Sequence, residues 1–213
     1  MKTSELIAVL SNNVEAVNKD QLKKTIGTAV VAGTALGIGA MLLFFGVRTH
    51  LETTHAWLVV TTKLVFTVGV AIPASMYLLR VARPGGEHKT SVALVALPFA
   101  GIALLGCVSL MLAPLPHWHS MMLGGHWLEC LVSIPMIAIV PFLIVILALR
   151  QTAPTDLTRA GAFAGLIAGS VAAIGYTLHC VDDSLPFIAL WYGGAMAFCT
   201  AVGAYLGPKL LRW

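Results

Sequence analysis

The sequence predicts an all-α protein, a polytopic bundle of six transmembrane helices with both termini in the cytoplasm. Of the 213 residues, 58% are hydrophobic and only 10% are charged, a composition that is rare for a soluble domain of this size. A helix needs about 20 apolar residues to cross the hydrocarbon core of a bilayer. Six runs reach that length, roughly 26–47, 57–79, 91–113, 123–149, 159–178 and 187–207.

The basic residues give the orientation, because loops that stay in the cytoplasm are enriched in Lys and Arg. The ends on the opposite side carry only Arg48. The formal charge of +4 is spread singly between the apolar runs, which indicates topology and no direct binding of nucleic acid. We therefore expect a multi-pass membrane protein, in contact with lipid. The ends assigned to the cytoplasm carry Lys2, Lys19, Lys23, Lys24, Arg80, Arg83, Lys89, Arg150, Arg159, Lys209 and Arg212.

Three units follow: a cytoplasmic tail at 1–25, a six-helix transmembrane sensor domain at 26–207 and a short cytoplasmic tail at 208–213. In the first tail, apolar residues recur at spacings of three and four, which predicts a short amphipathic helix. Such a stripe can dock in a groove of a soluble partner or lie along the membrane surface, and the pattern favours neither use. The stripe consists of Leu6, Ile7, Leu10, Val14 and Val17.

Within the six spans most signals predict packing. Glycines four residues apart let neighbouring helices approach closely in a bilayer. Prolines inside the second, third and fourth spans remove backbone donors and can kink the helices. The glycine pairs are Gly33/Gly37, Gly161/Gly165, Gly165/Gly169 and Gly203/Gly207, and the prolines are Pro73, Pro98, Pro135 and Pro141.

Two charged residues, Lys63 in the second span and Glu129 in the fourth, lie toward the outer side. A charge within the bilayer is costly and usually paired. We expect either a structural pair between the two, a lysine that reaches the interface, or a role in a ligand site.

The groups suited to chemistry also collect on the outer side, which favours a sensor of something outside the cytoplasm. His126, Glu129 and Cys130 are three and four residues apart at the start of the fourth span, so a helix can project them together. His179 and Cys180 end the fifth span. Thiols with imidazoles suit thiophilic ions such as copper, zinc or cadmium. No obligatory cofactor is predicted.

Cys130 and Cys180 are open to three interpretations: metal binding or thiol-reactive sensing, a disulfide in an oxidising compartment, or inert packing. Cys107 and Cys199 lie inside spans without ionisable neighbours and are assigned to packing.

A membrane thiol oxidoreductase or a metal transporter is the competing class. An oxidoreductase would be expected to carry closely spaced redox cysteines, and the chain has no CxxC pair. A transporter would need polar residues distributed through the bilayer, and only Lys63 and Glu129 approach that pattern. The residues therefore favour a regulatory protein over an enzyme.

The whole chain resembles the NrsF-type membrane anti-sigma factors. The resemblance rests on Met1-Lys2-Thr3 with Glu5-Leu6-Ile7, on Trp127 to Cys130, and above all on two closing runs, His179-Cys180-Val181-Asp182-Asp183-Ser184 with Leu190-Trp191-Tyr192-Gly193, and Leu206-Gly207-Pro208-Lys209-Leu210-Leu211-Arg212-Trp213. It implies a non-enzymatic protein of the bacterial inner (cytoplasmic) membrane, with a cytoplasmic side that sequesters an extracytoplasmic-function sigma factor until heavy-metal or oxidative stress releases it. It also implies that the two functional cysteines of the family match Cys130 and Cys180. The oligomeric state is left open.

Overall fold

A computed structural model of the protein describes residues 19–44, 46, 54–82, 92–152 and 154–212. Every regular element in these ranges is helical, so the predicted all-α class is confirmed. The predicted docking stripe of the tail, Leu6, Ile7, Leu10, Val14 and Val17, lies outside the described residues.

The described residues form α-helices together with two short turns of a different pitch. A 3-10 turn at Leu115–His117 precedes α4, and a π turn at Ile188–Tyr192 joins α7 to α8. The helices are α1 Lys19–Phe44, α2 Thr54–Val81, α3 Ala93–Leu112, α4 Trp118–Leu123, α5 Trp127–Leu149, α6 Leu157–Tyr176, α7 Leu185–Phe187 and α8 Gly193–Leu210.

Six helical stretches are long and apolar enough to cross a membrane: those in α1, α2, α3 and α6, the stretch Leu115–Leu149 that contains α4 and α5, and the stretch Leu185–Leu210. They correspond to the six predicted spans. Two boundaries differ from the sequence-based ones. Helix α1 already includes residues 19–25, which the sequence assigned to the tail, and the fourth stretch begins at Leu115, ahead of the short helix α4.

Helix α6 is the centre of the bundle. It is buried on nearly all sides and packs against α1, α2, α5 and α8. Its many Gly and Ala residues allow this, because small side chains let four neighbours approach one helix. Helix α3 lies at the edge, packed against α2 and α7, and leaves most of its apolar surface exposed, as suits a helix that faces lipid.

Helices α6 and α8 cross at the predicted glycine pairs. A Cβ atom added to Gly161 or Gly203 would collide with the backbone of the other helix, and Gly207 is equally close to α6. Gly33 of α1 packs against Pro141 of α5 in the same way. The prediction that these glycines form contact faces is confirmed.

The two ends of the bundle differ in their polar residues. We call the end formed by Lys63, residues 113–130 and residues 177–192 the thiol end. The opposite end, which we call the basic end, carries Lys24, Arg80, Arg150, Arg159, Lys209 and Arg212. There Arg150 Nε donates to the Leu210 carbonyl oxygen at 2.8 Å and so joins the ends of α5 and α8.

Candidate functional site

The thiol end brings Cys130 and Cys180 together. Cys130 lies in the first turn of α5, and Cys180 lies in the loop between α6 and α7. Their Sγ atoms are 3.7 Å apart, and the two residues are 0% and 2% exposed. Both cysteines are free thiols. A disulfide needs about 2.05 Å between the sulfur atoms, so a small movement of one loop would suffice to form it.

Lys63 reaches this site from α2 and is completely buried. Its Nζ donates to the carbonyl oxygen of Cys180 at 3.2 Å. The same atom forms an ion pair with Asp183 Oδ1 at 3.3 Å and lies 5.7 Å from the centre of the Tyr192 ring. A buried charged amine, a partly exposed carboxylate and the backbone of Cys180 therefore meet beside the thiol pair.

Of the three alternatives for Lys63 and Glu129, the pair between the two is wrong. Glu129 lies on the exposed face of α5, and Asp183 pairs with Lys63 in its place. Adjacent residues on a helix diverge by about 100°, so the turn that buries Cys130 directs Glu129 outward.

A buried phenol lies against each thiol. The side chain of Tyr176, at the end of α6, lies against Cys130. The hydroxyl of Tyr192, in the π turn, lies against the side chains of Cys180 and Thr177 but forms no hydrogen bond of good geometry among the described residues. The two rings are 6.2 Å apart. Sequence reasoning missed both tyrosines as site residues.

Asp182 connects the loop of Cys180 to the start of α5 through hydrogen bonds. Its carboxylate accepts from the backbone N–H of Gly125 at 3.1 Å and of His126 at 2.9 Å, and Oδ2 lies 3.4 Å from His126 Nδ1. Gly124 makes the turn possible, because its φ of 60°, with ψ of −165°, is a conformation that essentially only glycine adopts. Negative charge at a helix N-terminus is also favourable.

Two further bonds tie the hairpin between α3 and α5 to the sixth span. Trp191 Nε1 donates to the Met122 carbonyl oxygen at 2.8 Å, and Ser184 Oγ donates to the Met121 carbonyl oxygen at 2.5 Å. The Trp191 ring also packs on Trp127, with centroids 4.9 Å apart. These contacts hold the hairpin against the loop of Cys180 and the start of the sixth span.

Cys180 lies in the loop outside the spans, where its surroundings act on its acidity. A hydrogen bond from the Cys130 thiol and the nearby charge of Lys63 lower the pKa of the Cys180 thiol, while burial opposes them. The Sγ atom of Cys180 also lies 3.9 Å from the Asp182 carbonyl oxygen. The thiolate is the reactive form of cysteine, so these surroundings favour reaction at Cys180.

The other predicted ligands lie apart from the pair. His179 Nδ1 is 3.3 Å from the Gly46 carbonyl oxygen, and His126 is held beside Asp182 at the surface. In the part of the chain that the structure describes, no three His, Cys, Asp or Glu side chains group so as to hold a metal ion. A metal bound in this arrangement would have two sulfur ligands, Cys130 and Cys180.

The remaining cysteines have no such surroundings. Cys107 is exposed on the apolar surface of α3. Cys199 packs against Gly165 and Gly169 in the crossing of α6 and α8. The placement of Cys199 agrees with the packing role predicted for it, whereas Cys107 is not packed inside the bundle.

Comparison with known proteins gives a consistent result. The family model described as "Negative regulator of sigma F" (NrsF) matches residues 10–213. The chain is 32% identical over 213 residues to a probable anti-sigma-F factor NrsF of Azospira oryzae, and 28% identical over 217 residues to the anti-sigma-F factor NrsF of Caulobacter vibrioides; each alignment covers 100% of both chains. No solved structure matches. The chain therefore belongs to the NrsF family of negative regulators of sigma F.

Proposed function

We propose that this protein is a non-enzymatic anti-sigma factor of the bacterial inner membrane. It sequesters an extracytoplasmic-function sigma factor at its cytoplasmic side and releases it when Cys130 and Cys180 are oxidised to a disulfide. The observation that carries the sensing step is the 3.7 Å distance between two free, buried thiols contributed by different elements. Family membership supports the regulatory role.

The positions of the two ends support transmission across a membrane. The thiol pair lies at one end of α5 and of α6, and the basic residues lie at the other. Since cytoplasmic loops are enriched in Lys and Arg, the basic end is assigned to the cytoplasm and the thiol end to the periplasm. Periplasmic thiols meet an oxidising compartment, whereas the sigma factor meets the basic end and the tail before α1.

Oxidation suits the site better than a metal ion does. A cation between the sulfur atoms would have two ligands and would lie near the positive charge of Lys63. The same positive charge stabilises a thiolate, the species that an oxidant attacks. A thiophilic ion such as copper, zinc or cadmium is the alternative signal, and the experiment below separates the two.

Disulfide formation would move the loop 177–184 toward α5. Shortening the sulfur distance from 3.7 Å to about 2.05 Å combines rotation of the two side chains with a small movement of this loop at the ends of α5 and α6. A signal can shift the protein only by its differential affinity for two arrangements, typically about 1–3 kcal/mol. A shift of that size is sufficient to weaken a sigma-factor complex by one to two orders of magnitude.

The test is release of the sigma factor from the full-length protein in membranes. Hydrogen peroxide is expected to release it from the unmodified protein and from the control Cys107→Ser, but not from Cys130→Ser or Cys180→Ser. Release of the sigma factor by peroxide from both serine variants would refute the mechanism. Release by cadmium but not by peroxide would assign the signal to a metal.

The same preparation tests the competing class. Uptake of metal into vesicles by the protein would indicate a transporter, and continuous turnover of an added thiol substrate would indicate an oxidoreductase. Capture of a sigma factor without either activity is the expected result.

The tail is proposed as the docking segment, through Leu6, Ile7, Leu10, Val14 and Val17. Changing both Leu6 and Leu10 to Asp is expected to abolish capture of the sigma factor. The matched control changes Ala8 and Asn12 to Asp, which adds the same charges at the same spacing on the opposite side of the predicted helix. Capture that survives the first pair of changes would place docking on the basic end alone.

A further inference from the structure

Lys63 is a charged group buried beside the two thiols. Its side chain is 0% exposed within a span, where a charged amine is costly and is usually retained for function. A simple structural ion pair accounts for only part of its surroundings. Asp183, its ion-pair partner, is 25% exposed, whereas the contact with the Cys180 carbonyl oxygen is buried.

The two thiols differ in how directly Lys63 contacts the segments that carry them. Cys180 and Asp183 both belong to the loop that Lys63 contacts through a hydrogen bond and an ion pair. Cys130 belongs to α5, and none of the described contacts of Lys63 is with the backbone of that helix. The charge reaches both thiols, which are 3.7 Å apart, but its direct contacts are with the loop of Cys180.

A helix N-terminus can also stabilise a thiolate, and Cys130 lies in the first turn of α5. This effect is offset here. The carboxylate of Asp182 already accepts from the backbone N–H groups of Gly125 and His126 and so places a negative charge at this helix N-terminus. The N–H of Cys130 itself donates to the His126 carbonyl oxygen.

We infer that Lys63 makes Cys180 the thiol that reacts first with an oxidant, so that Cys130 acts second and closes the disulfide. This inference rests on the proposed function and assigns an order to its two thiols. Lys63 is a positioning residue here, because it acts through Cys180. Among the described residues, the ionisable groups that face the pair are Lys63 of α2, Tyr176 of α6, Asp182 and Asp183 of the loop, and Tyr192 of the π turn.

With hydrogen peroxide as oxidant the sequence balances. The Cys180 thiolate attacks one peroxide oxygen, the O–O bond breaks, and hydroxide leaves and takes up the proton that the thiol lost. Cys180 is then a sulfenic acid. The Cys130 sulfur attacks the Cys180 sulfur, the S–O bond breaks, and water leaves with the Cys130 proton. Two thiols are oxidised and one peroxide is reduced to two waters.

The first test traps the intermediate in the full-length protein. In Cys130→Ser, peroxide is expected to give a sulfenic acid at Cys180, captured with a cyclic 1,3-dione and located by peptide mass spectrometry. In Cys180→Ser, trapping at Cys130 is expected to be at least tenfold slower. Equal trapping rates, or faster trapping at Cys130, would overturn the order.

The second test assigns the effect to Lys63 through the pH profile of disulfide formation. Lys63→Met is expected to move the rise of the profile to higher pH and to slow the reaction at pH 7. Because a thiolate loses nucleophilicity as its pKa falls, each unit of pKa changes the rate by only about three- to fourfold. Lys63→Arg should restore the profile, and Lys24→Met, the same change at the basic end, should leave it unaltered.

The outcomes separate the two proposals. A normal profile in a folded Lys63→Met variant would refute the role of Lys63 and leave disulfide sensing intact. Failure of the unmodified protein to form the disulfide in peroxide would refute oxidation as the signal. If Lys63→Met does not fold, the trapping comparison still decides the order, because both serine variants keep Lys63.

Discussion

The thiol end and the glycine crossing of α6 and α8 hold the bundle together in opposite ways. At the crossing, Gly161, Gly165, Gly203 and Gly207 bring two backbones into direct contact without polar side chains. At the thiol end, separate loops are joined by individual polar bonds, such as those that Asp182 accepts. The crossing therefore has no room to change, whereas the thiol end can exchange one set of bonds for another.

Allosteric change generally uses elements with two discrete arrangements, while close-packed regions transmit movement. On this basis we expect the loop of Cys180 to be the part that moves when the disulfide forms, and the α6–α8 pair to be the rigid part that carries the movement toward the basic end. Three variants test that division, in order of decreasing expected effect.

The largest effect is expected from Gly203→Ala. The added methyl group would meet the backbone of Gly161 and Gly165, so the helices must separate, at a cost of about 3 kcal/mol. The matched control is Gly101→Ala in α3, where no atom lies within 4 Å of the added Cβ. Unfolding in mixed micelles measures both. Equal stability of the two variants would show that the crossing is not rigid.

An intermediate effect is expected from Asp182→Ala. The change removes the charged acceptor of the Gly125 and His126 N–H groups and should lower the free energy of unfolding by about 2 kcal/mol. Hydrogen exchange at residues 124–127 should quicken, and disulfide formation should slow. The control Asp156→Ala removes the carboxylate that caps α6 at the basic end. In this variant, faster hydrogen exchange should be limited to the backbone around residue 159. Faster exchange at residues 124–127 in the Asp156→Ala variant as well would show that the exchange there does not depend specifically on the bonds of Asp182.

The smallest effect is expected from Trp191→Phe. This change removes the hydrogen bond to the Met122 carbonyl oxygen and keeps an aromatic ring beside Trp127. It should lower the free energy of unfolding by about 1 kcal/mol. Trp118→Phe removes a similar bond, to Ala113, within the hairpin itself. Only the first variant should raise the labelling rate of Cys130 by a small thiol reagent. Identical labelling of Cys130 in both variants would show that the bond between Trp191 and Met122 does not limit access to Cys130.

The fold can be predicted from the sequence because each span carries its own signal. Twenty or so apolar residues can only be accommodated as a helix across the bilayer, and glycines four residues apart are sufficient to indicate the contact faces of α6 and α8. The positions of Cys130 and Cys180 at helix ends on one side are equally informative. Their proximity depends on which helices pack against α5 and α6, and the sequence does not indicate this.

The partners of the thiols are harder to predict, since they depend on rotation about helix axes. Glu129 has the spacing of a ligand beside Cys130 but faces outward. Asp182 and Asp183 lie in a run that only the family resemblance singles out, and nothing in their spacing tells which binds the start of α5 and which pairs with Lys63. Tyr192 is a site residue because of the π turn, which has no clear pattern in sequence.

That π turn has a consequence for the directions in which the sixth span presents its residues. In a helix of uniform pitch, the number of residues between Trp191 or Tyr192 and Gly203 or Gly207 fixes the directions in which they point around the helix axis. The wider turn at Ile188–Tyr192 fits an additional residue into the helix and so rotates Trp191 and Tyr192 relative to the half that packs on α6. The same span can therefore direct Tyr192 toward the thiol end while Gly203 and Gly207 face α6.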